Sequence, residues 1–399
     1  MKKYFILTFS FFLISFTRPV GAFEWDVFAA PSDDIRSCLL NSLDEDSLKK
    51  LLGGRPEKKQ MRKKAKRAYK VCAKSIQKKI IQPLEHFMPF IDVHAHLIGA
   101  DYSGALAKAL FLMKKINIKQ MIIMPPPQTF DQELGDKIED YIDLVNENDG
   151  KFKILGGGGT LMPMIMKAYS NGFIGAALVK EFEKRAKEII SMGAIGFGEM
   201  TAEHVSRRPG HPYVSVPVDH PLFLRLADIA ANFDVPIDLH MEAVPEEMVI
   251  PEKLKFSPNP DKLNANLRGL KTLLSHNLKT KIIWSHCGWG NLGTRKPDLM
   301  RELLLSHSNL YMSIKLNKSG VKSVSPVANG GQKIRSEWLS LFKDFPNRFM
   351  IGTDIKPSAR GIHKQSNKVP IRTPNFLNNL PKGLAKKIAE ENAKRIFRL

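Results

Sequence analysis

From Phe90 to the C-terminus the sequence keeps one rhythm: short apolar runs of strand length, each followed by a stretch with helical spacing. The strand-like runs are Phe90–Leu97, Ile118–Met124, Phe152–Leu155, Ala194–Glu199, Val235–His240, Lys281–His286, Leu310–Lys315 and Arg348–Asp354. Helical patterns cover Ser103–Ile116, Gln132–Val145, Ala176–Met192, a segment from Pro221 to Asn232 with Asp219 as its N-cap, part of Asn264–His276, Arg295–Ser306, Ser336–Phe345 and Leu384–Phe397. Parallel strands need a crossover of about a dozen residues or more, and every interval supplies one. The economical architecture is a (β/α)8 TIM barrel. An open doubly wound sheet is the other solution, but Gly156–Gly159 runs into Thr160-Leu161-Met162 and not into the G-x-G-x-x-G opening of a helix, so it reads as a turn at the barrel rim.

The residues before this repeat have a different character. Met1-Lys2-Lys3, the apolar stretch Tyr4–Phe16 and the small residues Val20-Gly21-Ala22 have the layout of a signal peptide cut near Ala22, which predicts a secreted or periplasmic protein beginning near Phe23. The apolar stretch is shorter than the roughly 20 residues of a membrane span, so no transmembrane segment is expected in the mature chain. Between Lys49 and Lys79 stand fourteen Lys or Arg and one acid, Glu57, so much of the net charge of +21 is local. Ile35, Leu39 and Leu43 line one amphipathic helix, and Met61, Ala65, Tyr69, Cys72, Ile76 and Ile80 a second, with Gly53, Gly54 and Pro56 at the turn. An antiparallel hairpin over 23–85 would set Cys38 opposite Cys72, and a disulfide between them is predicted; Cys287 remains a free thiol. The basic helix could meet an anionic surface; nucleic acid is disfavoured because Tyr69 alone interrupts the charge with an aromatic ring. The expected plan is therefore a leader over 1–22, a basic helical hairpin over 23–85 and the barrel over 86–399.

The chemistry-bearing residues keep phase with the repeat. In Asp92-Val93-His94-Ala95-His96 the period-2 alternation puts Asp92, His94 and His96 on one strand face. His94 and His96 end strand one, Glu199 strand four, His240 strand five, His286 strand six and Asp354 strand eight. In a barrel those ends converge on one axial pocket. Three neutral imidazoles with a carboxylate suit Zn2+, with Mn2+ as the other candidate, and leave a position open for water or substrate. His94, His96, His240 and Asp354 are assigned as ligands, and Asp354 can also accept a proton from the attacking water. His286 would hold the substrate oxygen or a second ion; Glu199 would ligate, bridge two ions, or act as acid or base. Asp92 and Asp238 are expected to support the histidines. Arg295, Trp289, Arg207 and Glu242 lie in loops on the same face and are weaker candidates for substrate contact, as are His204, Arg208 and His211.

The ordered set Asp92-Val93-His94-Ala95-His96, Gly196-Phe197-Gly198-Glu199, Asp238-Leu239-His240, Ser285-His286-Cys287-Gly288, Gly352-Thr353-Asp354 and Glu391-Asn392-Ala393-Lys394-Arg395-Ile396-Phe397 resembles the amidohydrolase superfamily. Within it the set is similar to the amidohydrolase-related branch, which includes enzymes like aminocarboxymuconate-semialdehyde decarboxylase. The resemblance covers residue 85 to the C-terminus and implies that the ligand roles carry over at those positions. Strand four ends in Glu199 and not in a lysine, which removes a lysine-bridged pair of ions and leaves one ion, or two bridged by Glu199. The expected function is an exported metal-dependent hydrolase acting on a carbonyl or phosphoryl centre of a small molecule. The alternatives are a non-hydrolytic decarboxylase in the same pocket and a binding or adaptor protein acting through the basic hairpin. Substrate and oligomeric state are not specified by the sequence.

Overall fold

The computed structural model describes residues 87–399 apart from 127–128, 130–136, 149, 210, 317–320, 329–332, 360 and 363–368, together with Leu39, Arg67, Ala68 and Val71. The chain divides into two units, Met1–His86 and Phe87–Leu399. The expected leader over 1–22, the hairpin interpretation of 23–85 and the Cys38–Cys72 bridge fall on residues outside those described. No described helix is long and apolar enough to cross a membrane.

In the second unit the alternating pattern becomes eight parallel strands: β1 (Phe90–Ala95), β2 (Ile118–Ile123), β3 (Phe152–Ile154, resuming as Gly156–Gly157), β4 (Phe197–His204), β5 (Pro236–Met241), β6 (Lys281–Cys287), β7 (Leu310–Ile314) and β8 (Phe349–Ile351). Each pairs with its neighbours in sequence, and β1 pairs with β8. β3 closes the ring. Its first half pairs with β2 and its second half with β4, and Leu155 between them donates from its amide to Ile123 O at 2.9 Å. The result is the (β/α)8 barrel.

Two apolar layers flank the strands. Outside, side chains such as Phe90, Phe197, Leu239 and Ile282 pack with the helices into one continuous cluster. A smaller cluster gathers Ile91, Val93, Ile122, Met124, Leu155, Ile283 and Met350 with Ala393, Ile396 and Phe397 of the C-terminal helix. That helix is pinned across the start of the strands: Lys281 Nζ lies 3.3 Å from Ile396 O, and Asn392 Nδ2 donates to Pro346 O and Phe349 O at 2.9 and 2.8 Å. The apolar filling and this cap leave the C-terminal end of the barrel as the place for polar chemistry.

Alternation is broken where the site is built. Between Asp92 and Ala95 the register against β2 slips, three residues facing two, and the same happens between Trp284 and Cys287 against β7 and between Phe197 and Met200 against β5. An extra residue of this kind flips the phase of a strand and re-aims its side chains. The expectation that Asp92, His94 and His96 share one face is therefore corrected. Ile91 and Val93 join the inner apolar cluster, and the slip then turns His94 and His96 toward the pocket. His286 (φ 64°) and Asp354 (φ 51°) also stand in the left-handed region, a strained conformation for such residues that concentrates at functional sites.

Other local expectations are revised. His220, not Asp219, caps helix Pro221–Phe233, its Nδ1 accepting from Leu222 N at 3.3 Å. Within the segment read as one helix over 132–145, the described part is a 3-10 turn Ile138–Asp140 and a short helix Ile142–Asn146. An additional helix, Leu161–Asn171, follows the glycine turn, and β4 continues past Glu199 into an antiparallel pairing with Val214–Ser215.

Candidate metal centre

The six phased residues meet at the C-terminal end of the barrel, in two groups on either side of Glu199. On one side His96 Nε2 lies 3.3 Å from Asp354 Oδ1 and 3.3 Å from Glu199 Oε2, and His94 Nε2 lies 4.0 and 3.7 Å from the same two oxygens. On the other side Glu199 Oε1 lies 2.6 Å from His240 Nδ1 and 3.2 Å from His286 Nε2, and the two rings face each other at 3.0 Å. The carboxylate thus offers one oxygen to each histidine pair.

Each ring is held from behind. His96 Nδ1 lies 2.9 Å from Met124 O, and because a carbonyl only accepts, Nδ1 carries a hydrogen and Nε2 is the nitrogen turned to the pocket. His94 Nδ1 faces both oxygens of Asp238 at 3.1 and 3.2 Å, and Asp238 in turn accepts from Ser285 Oγ at 2.6 Å. Asp92 differs from expectation. It accepts from the Thr353 amide and hydroxyl, tying β1 to the end of β8, and touches His94 only through its backbone N–H. Gly352 makes room for the first group: a Cβ there would lie 3.0 Å from His94 Cβ and 2.7 Å from Ser313 Cβ.

Three buried atoms in this first group, His94 Nε2, His96 Nε2 and Asp354 Oδ1, have no hydrogen-bond partner, although they converge within reach of one another. Unpartnered buried polar atoms are costly, and two imidazole nitrogens aimed at a carboxylate oxygen fit a divalent cation. His94, Glu199 and His286 form a second overlapping triad of ligand atoms. His240, assigned with His94, His96 and Asp354 on sequence grounds, has its Nδ1 on the other side of Glu199, because β5 lies beside β4 and β6 and not beside β1 or β8.

The charges follow from this packing. Burial opposes a charged His94, but the carboxylates of Asp238, Glu199 and Asp354 hold its pKa up at about 9. Burial likewise opposes ionisation of Glu199 and Asp354, yet both stay well below the usual carboxylate range, Glu199 through His94 and His240 and Asp354 through Lys315 and Lys356. Burial, with Lys315 nearby, keeps His286 neutral far below the ordinary imidazole value.

Some weaker candidates stand elsewhere than expected. Arg295 is 2% exposed and donates to Ser285 O and Trp289 O, bracketing His286, so it braces the backbone at the end of β6. Glu242 accepts from Asn291 N at 2.8 Å in the same buried layer. Trp289 stands beside the centre, its ring 5.9 Å from that of His286, with the Arg207 guanidinium 5.3 Å from its centre. His204 Nδ1 lies 3.0 Å from His240 Nε2, and His211 lies behind His204 at 3.2 Å.

Two lysines escaped the sequence reading. Lys315 follows β7 and Lys356 follows Asp354; Lys315 Nζ contacts Asp354 Oδ2, and Lys356 Nζ lies 3.4 Å from Oδ1. The position of Lys315 at a barrel strand end was the available signal.

No protein-family model matches the sequence, and no curated protein matches it. Among solved structures, an uncharacterised TIM-barrel protein of Bordetella bronchiseptica aligns at 13% identity and TM-score 0.49, covering 78% of this chain and 99% of that one. A TatD homologue of Escherichia coli aligns at 12% identity and TM-score 0.42, covering 78% and 98%, and amidohydrolase 2 of Bifidobacterium longum at 12% and 0.39, covering 78% and 99%.

Proposed function

We propose that this chain is an exported metal-dependent hydrolase acting on a carbonyl or phosphoryl centre of a small molecule, with Zn2+, or else Mn2+, as its resident ion. The observation that carries the reading is the convergence of His94 Nε2, His96 Nε2 and Asp354 Oδ1, buried and without a hydrogen-bond partner, beside a glutamate whose oxygens serve two histidine pairs. His94, His96 and Asp354 would hold one ion, and Glu199, His240 and His286 a second. A divalent ion in such a setting supplies Lewis acidity and lowers the pKa of water toward neutrality.

The protein's own groups supply the rest. Asp354 is held ionised by its lysines and stands where it can take a proton from an attacking water. Where only the first ion is bound, His286 is neutral and can orient a substrate oxygen or donate to a leaving group. Trp289 forms an apolar wall on which an organic substrate can rest.

Metal analysis of protein purified without chelator should find one or two divalent ions per chain. Amide, lactone and phosphoester substrates assayed with Zn2+ and Mn2+ should reveal turnover, and CO2 release would reassign the reaction to decarboxylation. A folded protein that carries no metal and whose stability ignores added Zn2+ overturns the reading. Export is tested separately: the mature protein should begin near Phe23.

A further inference from the structure

The metal centre is bordered by cations that its ligand chemistry does not use. Lys315 is 4% exposed, and its ammonium rests 3.8 Å from the centre of the Trp289 ring with Asp354 as its carboxylate contact. Lys356 approaches the same carboxylate from its other oxygen, and Arg207 stands 5.3 Å from the centre of the same indole. Of the other carboxylates nearby, Asp238 meets His94 and Ser285, Glu242 accepts from the Asn291 amide through Oε1 and Glu203 from Ser215 through Oε2, while Glu242 Oε2 and Glu203 Oε1 have no hydrogen-bond partner.

Charge then decides what the pocket takes. Glu199 and Asp354 bring two negative charges, which a single divalent ion neutralises. Lys315 and Lys356 then share Asp354 with that ion, and a second ion would add further positive charge beside them. Asp354 Oδ1 is the atom that faces both histidines, so an ion claiming it weakens the hold of Asp354 on the lysines. A buried ammonium that must share its one carboxylate contact is poorly compensated, and a ligand oxyanion offers charge-assisted hydrogen bonds in exchange.

Resting on the hydrolase reading above, we propose that Lys315, with Lys356 and Arg207 beside it on the Trp289 wall, forms an oxyanion subsite, and that the substrate carries a carboxylate or phosphate next to its scissile centre. Neutral esters and amides would then be poor substrates for the same metal centre.

The test uses the full chain loaded with Zn2+, titrated calorimetrically with inorganic phosphate and, separately, with acetate. At least one probe should bind wild type, and Lys315→Met should weaken it at least tenfold when the two proteins are compared at equal metal occupancy. Lys356→Met, at a more exposed side chain, should weaken it about threefold, and Lys315→Arg should retain most of the binding. The probe that binds identifies the anion as phosphate-like or carboxylate-like. Stoichiometric metal with no binding of either probe, or equal binding in wild type and both Met variants, overturns the subsite and leaves the hydrolase reading standing. Failure of the protein to load metal removes both. If Lys315→Met does not fold, Lys356→Met and Lys315→Arg decide by the same criteria.

Discussion

The two histidine pairs around Glu199 are built from the same residue types and meet the same carboxylate, yet they differ in what they need. His94 and His96 are each turned toward the pocket by a partner at Nδ1, so their Nε2 atoms meet at Asp354 without a hydrogen bond. His240 and His286 are turned toward each other and toward Glu199 Oε1, so the nitrogens facing the glutamate already have contacts, and His286 Nδ1, on the far side of its ring, is the atom left without a hydrogen-bond partner. The lesson is one of preorganisation: the first pair is complete only with a cation, whereas a cation entering the second must displace existing contacts. The first position should therefore bind the tighter ion.

The sharpest attempt to break that asymmetry compares His94→Ala with His286→Ala. The first should lose its metal and lower turnover by more than the roughly 100-fold typical of losing an outer partner, while the second should keep about one ion per chain. Equal loss of metal in both would make the two sides equivalent. Asp354→Asn should retain part of its metal and still lose turnover, since the amide cannot accept the proton.

Acidity offers a second probe. In the metal-free protein His94 titrates at about 9, above its ordinary 6.5, so its contribution to stability is full below 6.5 and is lost as pH rises through 9. An ion must displace that proton. Affinity for Zn2+ should therefore rise up to about tenfold per pH unit between 6.5 and 9 and then level off, as competition with a chromophoric chelator would show. A pH-independent affinity across that window would contradict the charge assigned to His94.

Smaller effects should follow the partners behind the rings. Asp238→Asn should cost about 10- to 100-fold in metal affinity by releasing His94. His204→Ala removes the partner of His240 Nε2 but leaves Nδ1 with Glu199 and His286, so a change of only a few-fold is expected in the same assay. A His204 effect larger than that of Asp238 would shift the weight to the second pair.

How much of this was visible beforehand depends on distance along the chain. His94, His96, Glu199, His240, His286 and Asp354 were legible because each sits at the end of a repeating unit, and a closed barrel brings those ends together whatever the loops do. Lys315 stands at such an end too, but a lysine after an apolar strand also reads as ordinary solvation; only packing against Trp289 distinguishes it. Arg295 shows the opposite failure, since a loop arginine suggests a ligand contact until its three-dimensional setting reveals backbone carbonyls around it.

The sequence by itself determined the order of strands and helices, the barrel they close into and the set of residues at its active end, because hydrophobic periodicity and crossover length are local properties. Only the tertiary structure decided how those residues face one another. The slips in β1, β4 and β6 exist only as a mismatch between neighbouring strands, so no single strand's sequence announces them. Those slips turn His94, Glu199 and His286 inward, and they set one glutamate between two pairs of histidines.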